Sequence, residues 1–419
     1  MKKLILSAIL VGSMATTFAQ TADSVEIGAG YANQVWYSML TGKQATVAKD
    51  NWDLAFDMVE IYATIRINSE SGVMLWNYPK GDKGAWSTVD TNGLSTWTAR
   101  YNSDTSWTYG AMGAYSDPSD PFDLDWGKYD VSTHTIKGDS LYVIKLVNGD
   151  YKKLFIEKLL SGVYTFKFAN LDGSNETTAS IDKSNFASRN FAYFSIVDNK
   201  SLNREPDFTK WDILFTQYTS FVPTAYNVTG VLHNRGARTV QVDNIPNVST
   251  YMNWQSHNDN SEINTIGYDW KSFNGTGYDI KDSLVYFVKT WDKEIGEYSV
   301  WKLWFTDFQS ATGKYVFNKQ TVYTASVAGV DGKTEALMTL YPNPSNGSNV
   351  TLVYDINTGA KEATVQVYDM TGRLMLNDRL QTAAGMYTYT IHTAQLQSGL
   401  YIVRLTVDGK DAVQRLSIN

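Results

Sequence analysis

Four histidines and no cysteine set the terms for any chemistry this 419-residue chain can do. Without cysteine there is no thiolate nucleophile, disulfide, Cys-bound zinc or iron–sulfur cluster. His233 and His257 fall in one loop-rich stretch. They are the one pair that the loops of a single domain could bring together as nitrogen donors to an iron centre. His134 stands just ahead of an Ile136-Lys137 strand, where a loop or strand-edge histidine is the plain structural reading. Met74 and Met112 are the other donors in that half of the chain, and His392 lies apart near the C-terminus.

Aromatic side chains offer a second chemistry. Trp76, Tyr78, Trp86, Trp97, Trp107 and Tyr109 crowd one stretch among Asn, Ser and Asp. Such a pattern suits sugar stacking or protein contact, and equally a β core rich in Tyr and Trp. Asp117, Asp120, Asp123 and Asp125 gather around Pro118 and Pro121. They could offer oxygen ligands to a hard cation, but the spacing fits no EF-hand loop, and a solvated turn is the plainer reading. No metal site is expected. His-Glu-x-x-His, G-x-S-x-G and the dinucleotide fingerprint are all missing. Asp331-Gly332-Lys333-Thr334 lacks the first Gly of a P-loop, Val327 standing in its place. These observations predict a binding protein and no enzyme.

The elements that must position these residues are strands. Asn51-Trp52-Asp53-Leu54-Ala55-Phe56 returns as Lys210-Trp211-Asp212-Ile213-Leu214-Phe215. A short strand precedes each copy, Tyr37–Leu40 and Phe194–Val197. Later blocks recur in the same order. Asp125-Trp126 answers Asp269-Trp270, Asp139–Val143 answers Asp282–Tyr286, Lys153–Ile156 answers Lys302–Phe305, and Gly162–Phe166 answers Gly313–Phe317. Each block is a short apolar or period-2 strand bounded by Gly, Asp or Asn turns. The fold class predicted is all-β: two related antiparallel β-domains in tandem, 20–187 and 188–325, then a small Ig-like β-sandwich over 338–419. Residues 326–337 are small and polar and read as a linker. The middle stretches of the repeats, about 63–124 and 219–268, do not match, as expected of binding loops grafted on a common frame or of neutral drift.

Residues 1–19 read as a secretory signal, with Lys2 and Lys3 before an apolar Leu4–Val11 and small residues at Thr17-Phe18-Ala19, making Gln20 the mature N-terminus. The apolar run is too short to span a bilayer, no lipid-bearing Cys follows it, and no later stretch reads as a transmembrane segment. Net charge is −7, and −9 once Lys2 and Lys3 leave with the signal. That balance disfavours nucleic acid and polybasic membrane contact.

Two resemblances follow from these motifs. Tyr341-Pro342-Asn343-Pro344, Val367–Arg373, Ser398–Arg404 and Gln414–Ile418 occur in order. Through them residues 338–419 resemble the type A C-terminal sorting domain of the type IX secretion system of Bacteroidota. This implies recognition by the type IX machinery, export through the periplasm and outer membrane, and release or surface attachment. Trp52–Phe56 and the run from Leu141 to Phe166 resemble the HmuY family of haem-binding proteins, with the second copy carrying the same outline. That resemblance covers most of 25–325. It implies haem or a related tetrapyrrole as ligand, for which His233, His257 and His134 are the candidate iron ligands. The family's ligands come from variable loops that do not align here, so none is carried over residue by residue. The alternative is a surface adhesin or glycan-binding protein without haem, with Trp76, Trp86, Trp97 and Trp107 as contact candidates. A secreted hydrolase is the third reading.

Overall fold

The computed structural model describes residues 20–59, 62–292, 297–324 and, within 336–418, all but 342, 344, 346–348, 357–358, 370–371 and 384. The expected signal, 1–19, and most of the expected linker, 325–335, lie outside the described residues. The last two linker residues, 336 and 337, instead open a strand, Ala336–Tyr341. The chain divides into two compact units, one ending at Thr324 and one beginning at Ala325. Both are built on antiparallel β-sheets, as the alternation of apolar and polar residues predicts.

The first unit contains two sandwiches. In the first, an outer sheet runs in the order Thr177–Asp182, Val163–Asn170, Tyr151–Leu160, Leu141–Lys145, Met74–Asn77, Ala99–Arg100. Its inner sheet runs Lys200–Leu202, Phe191–Ser195, Leu54–Asp57, Ile65–Ile67. Leu54, Phe56, Tyr142, Ile144, Leu154, Tyr164 and Phe166 fill the space between them. In the second sandwich the outer sheet runs Thr21–Glu26, Lys314–Thr324, Glu297–Gln309, Val285–Asp292, Arg238–Val242. Its inner sheet runs Gly42–Ala48, Asn33–Ser38, Ile213–Ser220, Tyr226–His233. The four inner strands and the first five outer strands of one sandwich have counterparts in the same order in the other, while Ala99–Arg100 has none among the described strands of the second outer sheet.

That match does not follow the expected boundary at 187/188. The strands at 177–202 complete the first sandwich, and the N-terminal strands at 21–48 complete the second. Each Trp-Asp strand therefore pairs with the leading strand of the other copy. Leu54–Asp57 lies beside Phe191–Phe194, and Ile213–Phe215 lies beside Val35–Tyr37.

The Trp-Asp element anchors each of these joints in the same way. Asp53 N donates to Phe194 O and Asp212 N to Tyr37 O, both at 2.9 Å. The Asp53 carboxylate accepts from Ile196 N at 2.7 Å, and that of Asp212 from Met39 N at 2.6 Å. Asn68 and Asn234 donate to the carbonyls of Trp52 and Trp211 at 2.8 and 2.7 Å. Burial of Phe56 and Phe215 under each strand contributes about 2–3 kcal/mol apiece.

The inner sheets turn their remaining faces toward each other, because alternate residues of a strand point opposite ways. Trp52, Ala55, Phe191 and Tyr193 come from one sheet, and Trp36, Leu214, Tyr218 and Leu232 from the other. Trp107 packs against all three of the small clusters they form. Asp57 and Arg235 pair across the same interface, with Nη2–Oδ2 at 2.7 Å.

The second unit is a small sandwich of seven described strands. A three-stranded sheet, Ala336–Tyr341, Asn349–Ile356, Gly385–His392, faces a four-stranded one, Leu374–Arg379, Ala363–Asp369, Gly399–Val407, Lys410–Ile418. Val350, Leu352, Val365, Val367, Val403 and Leu405 form its core. Asn343 ties its opening segment to the last strand, donating to Arg415 O at 2.6 Å and accepting from Ser417 N at 3.0 Å.

Candidate functional site

The histidines are placed apart. His233 ends the strand Tyr226–His233 and is 1% exposed. Its Nδ1 meets Asn234 O at 3.1 Å, its own carbonyl accepts from the Trp107 indole at 2.9 Å, and its Nε2 has no partner. Burial holds it below the usual imidazole range, so it is a neutral ring in the interface between sandwiches. His257 is exposed on a loop, with Nε2 2.8 Å from the Tyr251 hydroxyl. His134 is an exposed turn residue at φ 52°, with Nδ1 2.8 Å from the Tyr129 hydroxyl. The three share no contact partner. Met112 is buried in the first core, and Met74 lies on the outer sheet.

The four tryptophans divide between two structural tasks. Trp76, Trp86 and Trp97 belong to one apolar cluster in which the loop 79–98 covers the outer sheet of the first sandwich. Trp76 is buried and stacks on Tyr151, Trp97 meets Tyr78 edge-on, and Trp86 donates to Glu176 at 2.8 Å. The backbone carbonyl of Trp86 accepts from the buried Lys153 ammonium at 2.7 Å. The loop after Val242 covers the other outer sheet in the same manner, and there Lys302 donates to Ser249 O at 2.9 Å. Trp107 lies between the sandwiches, beside the Arg66 guanidinium at 5.1 Å. The divergent middle stretches are thus partly lids for the outer sheets.

What those stretches leave open is a basin of about 660 Å³ in the first sandwich. The turn after Met74–Asn77 supplies Asn77, Tyr78 and Asp82. The loop before Gly127–Asp130 supplies Tyr115, Asp117, Asp120, Asp123 and Asp125, and the turn before Leu141–Lys145 supplies Asp139 and Ser140. Arg100 and Lys128 are its two cations against six carboxylates.

The basin is built on Asp125, a buried residue held at φ 70°, a conformation Asp tolerates better than most side chains. Its N–H donates to Asp123 Oδ1 and its Oδ2 accepts from Gly113 N, each at 2.8 Å, while Arg100 pairs with Oδ1. Burial raises its carboxyl, and Arg100 and the Gly113 amide oppose that rise. Trp126 follows as a core residue, its indole donating to Ala63 O at 2.8 Å. The outer carboxylates behave oppositely. A bond from Ser119 lowers Asp117, and a bond from Lys128 at 2.6 Å lowers Asp120. Both stay ionised and accept hydrogen bonds at neutral pH. Asp82 and Asp117 each use one oxygen on their own turn, Gly84 N at 2.8 Å and Ser119 N at 2.8 Å. The Arg100 guanidinium lies 4.5 Å from the Tyr115 ring, backing an aromatic side chain that remains 45% exposed.

Sequence reasoning singled out the four aspartates but weighed them for calcium. Among the described residues no group of three or more His, Asp or Glu is arranged to hold a metal ion. Arg100, Tyr115 and Ser140 were missed, since only the folding of three separate turns brings them together. Two smaller cavities lie elsewhere in the first unit. One of about 50 Å³, near the size of a water or two, is lined by Trp52, Arg66, Glu70, Trp107 and Tyr193. Another of about 100 Å³ is lined by Trp211, Asn234 and Arg235. No histidine lines any of the three. Haem, which needs an axial donor at the wall of an apolar pocket, does not fit the residues gathered here.

No curated protein matches the chain. Among solved structures, latent dimeric PorU from Porphyromonas gingivalis is similar at 11% identity with a TM-score of 0.18, over 92% of this chain and 40% of that one. The chain thus spans well under half of that structure, and so low a TM-score carries no argument. No helix among the described residues is long and apolar enough to cross a membrane. Residues 339–419 match the family of secretion system C-terminal sorting domains, within one residue of the boundary expected at 338, and this last unit is a type IX sorting domain.

Proposed function

We propose that this protein is an exported, non-catalytic binding protein whose ligand is a glycan, held in the acidic, tyrosine-lined basin of its first sandwich. The sorting domain directs it to the cell surface or the medium. One observation carries the ligand class: six carboxylates, Asn77, Ser140 and an exposed Tyr115 converge on one open concavity of the first sandwich. Ionised carboxylates accept hydrogen bonds and so suit a ligand rich in hydroxyl donors, while an aromatic face offers apolar contact to a sugar ring. A polyanion would meet like charge and be repelled.

The HmuY-like framework read in 25–325 suggests haem instead, but the buried His233 and the exposed His257 offer it no common pocket. A glycan array and a haemin titration of the purified protein separate the two readings. Binding to neutral glycans that weakens in Asp82→Asn/Asp117→Asn supports the basin. A haemin Soret shift abolished by His233→Ala/His257→Ala would overturn it.

A further inference from the structure

The basin does not end at its own wall. The Tyr115 hydroxyl, on the basin's edge, accepts from Tyr101 N at 3.3 Å. The Tyr101 ring meets Phe221 edge-on, with centroids 5.6 Å apart. Phe221 and Val222 form the tip of a hairpin that belongs to the second sandwich, between Ile213–Ser220 and Tyr226–His233. They are 37% and 70% exposed. The strands of this hairpin are eight residues long, whereas their counterparts in the first sandwich, Leu54–Asp57 and Ile65–Ile67, have four and three. The base of the longer hairpin serves its own core through Ile213, Phe215 and Val231, and Tyr218, Val228 and Leu232 pack in the interface between the sandwiches. Its tip carries Phe221 and Val222 out to solvent beside the first sandwich's loop. Exposing contiguous apolar surface is costly enough that it marks contact with something else.

Resting on the glycan reading above, we infer that the ligand is an extended neutral chain that runs from the basin over Tyr115 and Tyr101 onto the Phe221-Val222 tip. The side chains that form the ridge, Tyr115, Tyr101, Phe221 and Val222, carry no charge themselves, so a chain gripped by the carboxylates would find apolar contact as it leaves. A linear neutral polysaccharide has that alternation of hydroxyl edges and apolar ring faces along its length. A lysine-rich peptide would be drawn to the basin, but the aromatic and aliphatic side chains that form the ridge offer its charged groups no partner of their own.

The test uses an array of neutral oligosaccharides of two residues and of six or more, with polylysine as competitor, against the intact chain and Phe221→Ala/Val222→Ala. Both side chains are partly exposed, and an unchanged melting temperature will confirm that the variant folds. The expected result is an approximately tenfold higher Kd for the long chains, equivalent to about 1.4 kcal/mol, with the two-residue probes unchanged. Unaltered long-chain affinity in the variant would overturn the ridge and leave the basin standing. Equal loss for short and long probes would also overturn it. Absence of binding to every neutral probe would instead sink the glycan reading itself. Displacement of bound chains by polylysine but not by free neutral oligosaccharide would replace the glycan with a basic peptide.

Discussion

Glu205 lies at the heart of the joint between the sandwiches and should give this protein a measurable dependence on pH. It is buried, and it accepts from Asn190 N at 3.1 Å, Phe191 N at 3.2 Å and the Tyr193 hydroxyl at 3.4 Å. Burial pushes its carboxyl up to about 7 from 4.5, against the pull of those donors. The folded state therefore binds this proton more tightly than the unfolded chain. Stability from Glu205 is fully present below about pH 4.5 and is lost as pH rises through about 7. A shift of that size corresponds to roughly 3 kcal/mol across the window. Glu205→Gln removes the titration but keeps the shape. Its carbonyl can accept one amide, and its NH2 opposes the other, a constant cost of about 1–2 kcal/mol. Urea unfolding followed by tryptophan fluorescence from pH 4.5 to 8 gives the free energies. The gap between wild type and variant should favour wild type by about 1–2 kcal/mol in acid and move by roughly 3 kcal/mol toward pH 8, so that the variant becomes the more stable of the two. Other raised carboxyls, including Asp53, Asp57 and Asp125, titrate in both proteins and cancel in the difference. A gap that stays constant with pH would refute the assignment.

Two further perturbations probe the same joint. Arg235→Ala strands the fully buried Asp57 carboxylate of the opposite sandwich and should cost about 3–5 kcal/mol at pH 7. Because burial already raises Asp57, protonation should relieve part of that cost at acidic pH, as paired urea titrations at pH 7 and 4.5 would show. Deletion of residues 20–48 should open the second sandwich and spare the first, so limited proteolysis with mass spectrometry should recover a resistant fragment near 49–204. A resistant fragment covering 188–325 would show that the sandwiches follow the boundary expected from sequence.

Much of the frame was legible because its causes are local. Period-2 alternation and turn residues marked the strands, and the repeat of Trp52–Phe56 at Trp211–Phe215 marked two equivalent sandwiches. The sorting domain was legible from four ordered motifs. The aromatic residues were harder. Trp86 and Trp97 sit among polar neighbours in sequence, yet they pack on the outer sheet because a β-sheet with two apolar faces needs a lid on each. The pairing of His233 with His257 failed for a related reason. His233 ends a strand of the inner sheet, where Trp107 from a distant loop seals it, whereas His257 lies on an exposed loop. The basin depends on Arg100 meeting both Asp125 and Tyr115, and nothing in the spacing of those three residues announces that contact.

The boundary between the sandwiches raises a more general point. A tandem repeat is cyclic as sequence: cutting it before or after the leading strand leaves the same similarity. Pairing decides where the structural unit begins. Here the first Trp-Asp strand is completed by the leading strand of the second copy, and among the described residues no third copy completes the second. The N-terminal strands fill that place. Bringing residues 21–48 back across most of the unit costs little more than a shorter closure, because loop entropy grows only logarithmically and each doubling adds about 0.6 kcal/mol. The return buries Val25, Ile27, Val35, Tyr37 and Met39 in the second core, and each fully buried side chain of this kind contributes about 1.5–3 kcal/mol. Closure therefore wins by a wide margin. It also clamps the strand that precedes the sorting domain, since Lys314–Thr324 is paired with Glu297–Gln309 on one side and with Thr21–Glu26 on the other. Cutting the chain after that strand removes no pairing from either sandwich, so the first unit is built to keep its fold when its sorting domain is separated from it.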